Sequence, residues 1–175
     1  MRRPTAAVGS AVFFLVGPGI VAGLIPWLST GWQVREPIPY WAPMRVLGAI
    51  LLVAGLIVLI QAFVRFVVEG LGTPAPIAAP EHLVVGGLYR YVRNPMYVAI
   101  LVAIAGQALL LGQLGLLPYP AAFWLIAAAF VRWYEEPALT RRFGADYEAY
   151  RRAVPAWWPR LCPWKPTDRD EPGAW

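Results

Sequence analysis

The chain has 175 residues, of which 59% are hydrophobic and 14% charged, with a mean hydropathy of +0.53 and a net charge of +5. A soluble domain carries roughly 25% charged residues, so this balance indicates a chain that lives in lipid. It also excludes disorder over most of the length, which needs low hydrophobicity and high charge. One cysteine allows no internal disulfide, no Cys or His spacing suggests a metal site, and the 16 Gly and 18 Pro show no collagen-like period.

In chain order, the first feature is an uncharged run from Ala6 to Leu28 behind Arg2 and Arg3. It is long for a secretory signal and lacks a small-x-small cleavage site after Leu28, so it is expected to be a retained helix, kinked at Pro18 and Pro26, with Gly19 and Gly23 packing within a bundle. From Val46 to Val64 the one polar side chain is Gln61. From Pro95 to Val131 there is no charge, a run too long for one crossing; Gly112, Gly115, Pro118 and Pro120 supply the turn of a helical hairpin. The expectation is an all-α, polytopic membrane helical bundle of about four transmembrane helices, at 6–28, 46–68, 95–112 and 116–136, plus an amphipathic C-terminal segment from Pro137 to Arg160. Residues 1–160 form the membrane domain, and the Pro-rich, charged tail 161–175 is expected to be disordered. Of the 15 Lys and Arg, only Arg35 and Arg45 fall on one face of this arrangement. The positive-inside tendency then puts both termini in the cytoplasm of a chain expected in a bacterial cytoplasmic membrane.

Two segments carry chemistry. The loop from Gly70 to Asn94 is long, and long connections tend to be functional. It ends in GLYRYVRNPMY, where Asn94 suits a helix N-cap and Pro95 a first helical residue. That helix start favours an anion, although Tyr89, Tyr91 and Tyr97 also fit a plain interfacial aromatic belt. The second segment is Glu135-Glu136 before Pro137, where the helix should end or kink. These carboxylates oppose the negative end of the helix dipole, so either Arg132, Arg141 or Arg142 compensates them or one of them binds a ligand with hydroxyl or ammonium donors. The basic stretch with Trp157, Trp158 and Trp164 fits a membrane surface and anionic lipid better than nucleic acid.

Together these segments resemble the isoprenylcysteine carboxyl methyltransferase and phospholipid methyltransferase superfamily. Gly87, Tyr89, Arg93, Asn94, Pro95 and Tyr97 match its G-x-Y-x-x-x-R-[HN]-P-x-Y motif, and EEPALTRRFGADYEAY is similar to its second motif, a Glu pair followed by Phe143, Gly144, Tyr147 and Tyr150. The resemblance covers about Glu81 to Pro159. It implies an integral-membrane methyltransferase that uses S-adenosyl-L-methionine and acts on a lipophilic or lipid-linked acceptor at the cytoplasmic interface. Carried over by position, the implied cofactor contacts are His82, Leu83, Val84, Tyr89, Asn94, Pro95, Met96, Tyr97, Glu135 and Glu136, with Arg93 or Arg132 for an anionic acceptor. Val131 stands where the prenylcysteine enzymes carry an Arg associated with the substrate carboxylate, so carboxylate, amine and thiol acceptors all stay open. Two other classes remain: an NADPH-dependent membrane reductase of the steroid-reductase type, and a non-catalytic membrane scaffold.

Overall fold

A computed structural model describes residues 16–70 and 82–165, and every regular element among them is helical. The order is α1 (Val16–Thr30), α2 (Ala42–Gly70), α3 (Pro95–Leu111), α4 (Pro118–Phe130) and α5 (Glu136–Ala153). Short 3-10 turns at Gly87–Arg90 and Leu114–Leu116 lead into α3 and α4. The start of the expected first span (6–15), the Pro-rich part of the long loop (71–81) and the tail from 166 lie outside the described residues.

Two stretches are long and apolar enough to cross a membrane: Ala42–Arg65, with 24 residues, and Leu114–Ala153, with 40, in which α4 passes into α5 through a π-turn and α5 bends at Gly144. α1 and α3 are shorter apolar helices. The 17 residues of α3 rise about 26 Å at 1.5 Å each, just under a hydrocarbon core of about 30 Å. Two of the four expected spans therefore meet the length criterion within the described residues.

α3 is the axis of the bundle, burying Ala99, Ile100, Ala103, Ile104, Gly106 and Ala108, and it packs chiefly on α2. Gly48, Gly55 and Ala62 recur every seven residues on α2, the spacing of a shallow left-handed crossing. A Cβ on Gly55 would stand 2.9 Å from the carbonyl oxygen of Ala99, and one on Gly106 would stand 2.6 Å from the backbone nitrogen of Leu52. Backbone thus touches backbone. Close van der Waals contact binds the pair, because lipid supplies no hydrophobic force between helices. The expectation that Gly19 and Gly23 serve this purpose fails at Gly23, where an added Cβ meets nothing within 4 Å; the close approach belongs to α2 and α3.

The helix ahead of Pro26 and ahead of Pro137 takes one form. A π-turn at Ile20–Leu24 ends two residues before Pro26, and another at Val131–Glu135 ends two residues before Pro137. Proline lacks an N–H and its ring crowds the carbonyl four residues back, so the helix widens by one residue ahead of it. In α1 this orphans the carbonyls of Val21 and Ala22. Tyr119 donates its hydroxyl to the first at 2.7 Å and Gln107 its amide to the second at 2.6 Å. The partly buried Gln107 is therefore a cap for a backbone gap in α1.

The far end of α3 is closed by the α1–α2 loop. The amide of Arg35 donates to the carbonyl of Leu111 at 2.7 Å, the indole of Trp41 to that of Leu109 at 2.9 Å, and the amide of Gln113 to that of Ala108 at 2.9 Å. The final carbonyls of the helix are thus satisfied away from water. Gly112, left-handed at φ 65°, makes the tight exit into the 3-10 turn.

Candidate active site

At the other end of the bundle, where α3 begins and α4 passes into α5, the two sequence motifs meet. Residues 82–86 run extended between α2 and α5, and their side chains alternate as an extended chain requires. Val84 joins Ala62 and Tyr89 on the α2 side, whereas Leu83 and Val85 pack with Tyr147, Tyr150 and Val154 on the α5 side. His82, at the outer end, is exposed and makes no hydrogen bond or ion pair among the described residues. Gly144 (φ 53°, ψ −123°) bends α5 so that Tyr147 and Tyr150 both turn inward.

Arg93 links the motifs. Its Nη1 donates to Glu136 Oε1 at 2.7 Å and to the Tyr147 hydroxyl at 3.1 Å, and its Nε donates to the carbonyl of Val154 at 2.9 Å. Glu136 is only 5% exposed. A carboxylate so buried needs compensation, and Arg151 supplies a second positive charge 3.2 Å from Oε2, though not along a directed hydrogen bond. The hydroxyl of Tyr150 donates to the carbonyl of Tyr89 at 2.7 Å.

After α5 the chain returns as a strap over residues 90–94. The amides of Arg93 and Asn94 donate to the carbonyls of Pro155 and Ala156 at 2.9 and 3.2 Å, and those of Arg160 and Trp164 donate to the carbonyls of Tyr91 and Arg90, each at 2.9 Å. Arg90 Nε closes the ring onto the carbonyl of Trp164 at 2.6 Å. Trp164, assigned to the tail by the sequence, stacks obliquely on Tyr150 with ring centroids 5.5 Å apart. Asn94 does stand at the N-cap position of α3, with Pro95 behind it, yet its side chain caps nothing: Nδ2 donates to the carbonyl of Ala156 at 3.1 Å. The expected Asn94 cap is thereby corrected: the bond from Nδ2 to the strap fixes the side chain where its oxygen meets no helix amide.

What remains, where α3, the π-turn and the strap meet, is the pair Tyr97 and Glu135. Tyr97 donates its hydroxyl to Glu135 Oε2 at 3.4 Å. Its ring lies 6.4 Å from Phe123 and 6.2 Å from Trp157, which in turn lies 6.1 Å from Trp124. Glu135 Oε1 has no partner among the described residues. No acceptor meets the amides of Met96 and Tyr97 among the described residues, because Asn94 leaves them uncapped.

Of the residues singled out from sequence, the structure joins Tyr97 to Glu135 and stands Asn94 and Pro95 at the start of the same helix α3. The side chain of Met96 packs into the core with Val84 and Tyr89, which are buried against α2, and Leu83 is packed against α5. Glu136 and Arg93 are engaged with each other, while Arg132 is exposed and makes no ion pair among the described residues. Sequence reasoning missed Arg151, Phe123 and the strap residues Pro155, Ala156 and Trp157. The spacing of Tyr147, Tyr150 and Val154 on one helical face was the available sign of how α5 packs. Nothing in sequence links Arg151 to a carboxylate fifteen positions earlier.

A model of the phospholipid methyltransferase family matches residues 43–146. Among characterised proteins, the chain is 36% identical over 78 residues to protein-S-isoprenylcysteine O-methyltransferase of Schizosaccharomyces pombe, covering 43% of this chain and 33% of that one. It is 39% identical over 82 residues to methanethiol S-methyltransferase 2 of Bradyrhizobium diazoefficiens, covering 46% of this chain and 30% of that one. The matched regions thus span about a third of these relatives. No solved structure matches the chain at a significant level.

Proposed function

Because the chain belongs to the phospholipid methyltransferase family, we propose that it transfers a methyl group from S-adenosylmethionine to a lipophilic acceptor at the Tyr97–Glu135 pair. The observation that carries this reading is the division within the glutamate pair. Arg93 and Arg151 consume Glu136, whereas Glu135 keeps an oxygen free beside an uncapped helix start and three aromatic rings. That donor set fits the cofactor. Glu135 Oε1 can accept from its ammonium or hydroxyl groups, the amides of Met96 and Tyr97 can hold its carboxylate with help from the helix dipole, and the faces of Tyr97, Phe123 and Trp157 suit a sulfonium, worth about 0.5–2 kcal/mol by cation–π contact.

When bound, S-adenosylmethionine would supply an electrophilic methyl carbon, which the acceptor's nucleophile attacks in line while the S–CH3 bond breaks and the thioether S-adenosylhomocysteine leaves. The chain's part is positioning. Alignment carries such a reaction, and the ring formed by Arg93, Glu136, Tyr147 and the strap fixes the start of α3, on which Tyr97 sits. With three protein partners, Arg93 acts in this proposal through geometry; Arg132 remains available to an anionic acceptor. Carboxylate, amine and thiol acceptors all suit the site. α1 to α4 are proposed as four crossings, with both termini and the site on the cytoplasmic side, from the distribution of Lys and Arg.

Membranes containing the chain, incubated with methyl-labelled S-adenosylmethionine, should yield a labelled lipophilic product identifiable by mass spectrometry. Membranes carrying Glu135→Gln should yield none. Equal labelling in the two preparations, or no labelled product in either, would overturn the reading.

A further inference from the structure

The strap over residues 90–94 ends in a group of side chains that the site does not use. Trp158 is 81% exposed and Leu161 99% exposed, the most exposed large apolar residues of the segment. The residue before them, Trp157, packs on Trp124 in the apolar run of α4, whose neighbours Leu125 and Ile126 face outward at 61% and 70% exposure. The strap thus lies at the level of the apolar surface of α4, and its bare Trp and Leu continue that surface. Cations accompany them. Arg141, Arg142, Arg152 and Lys165 are exposed and Arg160 partly so, against exposed Asp146 and Glu148, so cations predominate on the outer face of this end.

We propose that this face docks on an anionic phospholipid leaflet. Trp158 and Leu161 enter the acyl boundary while Arg152, Arg160 and Lys165 hold headgroups, and lipid charge thereby presses the strap onto residues 90–94. Interfacial burial of apolar side chains plus attraction of cations to anionic lipid is the general basis of such docking. Arg160 ties the two functions together, because its Nη1 donates to the carbonyl of Ala153 at 2.7 Å and its amide to Tyr91. This docking stands on exposure and charge, independent of any methyl transfer.

Cys162, the single cysteine, is exposed beside Leu161 and takes a spin label without any substitution. The full chain is reconstituted in nanodiscs of phosphatidylcholine alone or mixed with phosphatidylglycerol, and collision of the label with oxygen is compared with collision with a water-soluble nickel chelate. The expected result is a label at headgroup depth that moves deeper with phosphatidylglycerol, an increment that high salt removes. K165Q should lower the inserted-to-withdrawn ratio about fivefold in the anionic discs, and W158S/L161S should return the label to the aqueous value with the fold intact, since both side chains are outside the core. A label in bulk water in both kinds of disc, or an unchanged depth in W158S/L161S, overturns the proposal.

Discussion

Arg93→Met removes the cation that joins the two motifs. Glu136, 5% exposed, would keep only Arg151, which lies 3.2 Å away, is 41% exposed and has no directed bond to it. Tyr147 and the carbonyl of Val154 would each lose a donor. Removing one partner of a buried ion pair costs about 3–5 kcal/mol, and the surviving Arg151 argues for the lower end, about 3 kcal/mol. At roughly 2–4 °C per kcal/mol for a chain of this size, the midpoint of thermal unfolding should fall by about 6–12 °C. The assay is near-ultraviolet circular dichroism on protein in detergent micelles, comparing R93M, E136Q and the double variant. Because each single variant strands the other partner, the double variant should lie about 2 kcal/mol above the sum of the singles. A single-variant midpoint within about 1 °C of the parent, or strict additivity, would refute the claim that this pair carries the site's frame.

Three further outcomes follow from the packing. Gly106→Val drives a side chain into the backbone of Leu52 and should cost about 1–3 kcal/mol, whereas Gly23→Ala, with open space around it, should stay within about 0.5 kcal/mol by the same melting assay. Gln107→Leu strands the carbonyl of Ala22 and should cost about 1 kcal/mol, and adding Pro26→Ala, which restores the missing amide, should recover that loss; no recovery would refute the capping role. Tyr150→Phe leaves the carbonyl of Tyr89 without its donor, at about 1 kcal/mol, and should weaken S-adenosylmethionine binding while the helical signal of the folded protein persists.

The apolar runs located α2 and both arms of the α3–α4 hairpin, because lipid burial leaves an unambiguous mark on composition. The turn at Gly112 was legible through glycine geometry, and Pro137 marked an irregularity in the helix at Glu135, which is a π-turn. The continuation of helix through Pro137 was not, because a π-turn absorbs the proline and leaves no sequence sign of its own. The α2–α3 seam escaped for a related reason: its small residues follow a seven-residue spacing spread over α2, while the more compact Gly19–Gly23 pair looked the stronger signal. In the site, the motifs pointed to Asn94, Tyr97 and Glu135. The division of roles within the Glu pair depends on Arg93 and Arg151, which approach from different elements, and the strap's hold on residues 90–94 runs through backbone groups that side-chain patterns do not encode.

The most direct measurement is isothermal titration of the purified chain in detergent with S-adenosylmethionine and, separately, with NADPH, repeated on Glu135→Gln. The site should bind the sulfonium compound saturably, ignore the nicotinamide, and lose that binding when Oε1 becomes an amide. Undiminished binding by Glu135→Gln, or saturable heat with NADPH alone, would contradict a methyl-donor site at Tyr97 and Glu135.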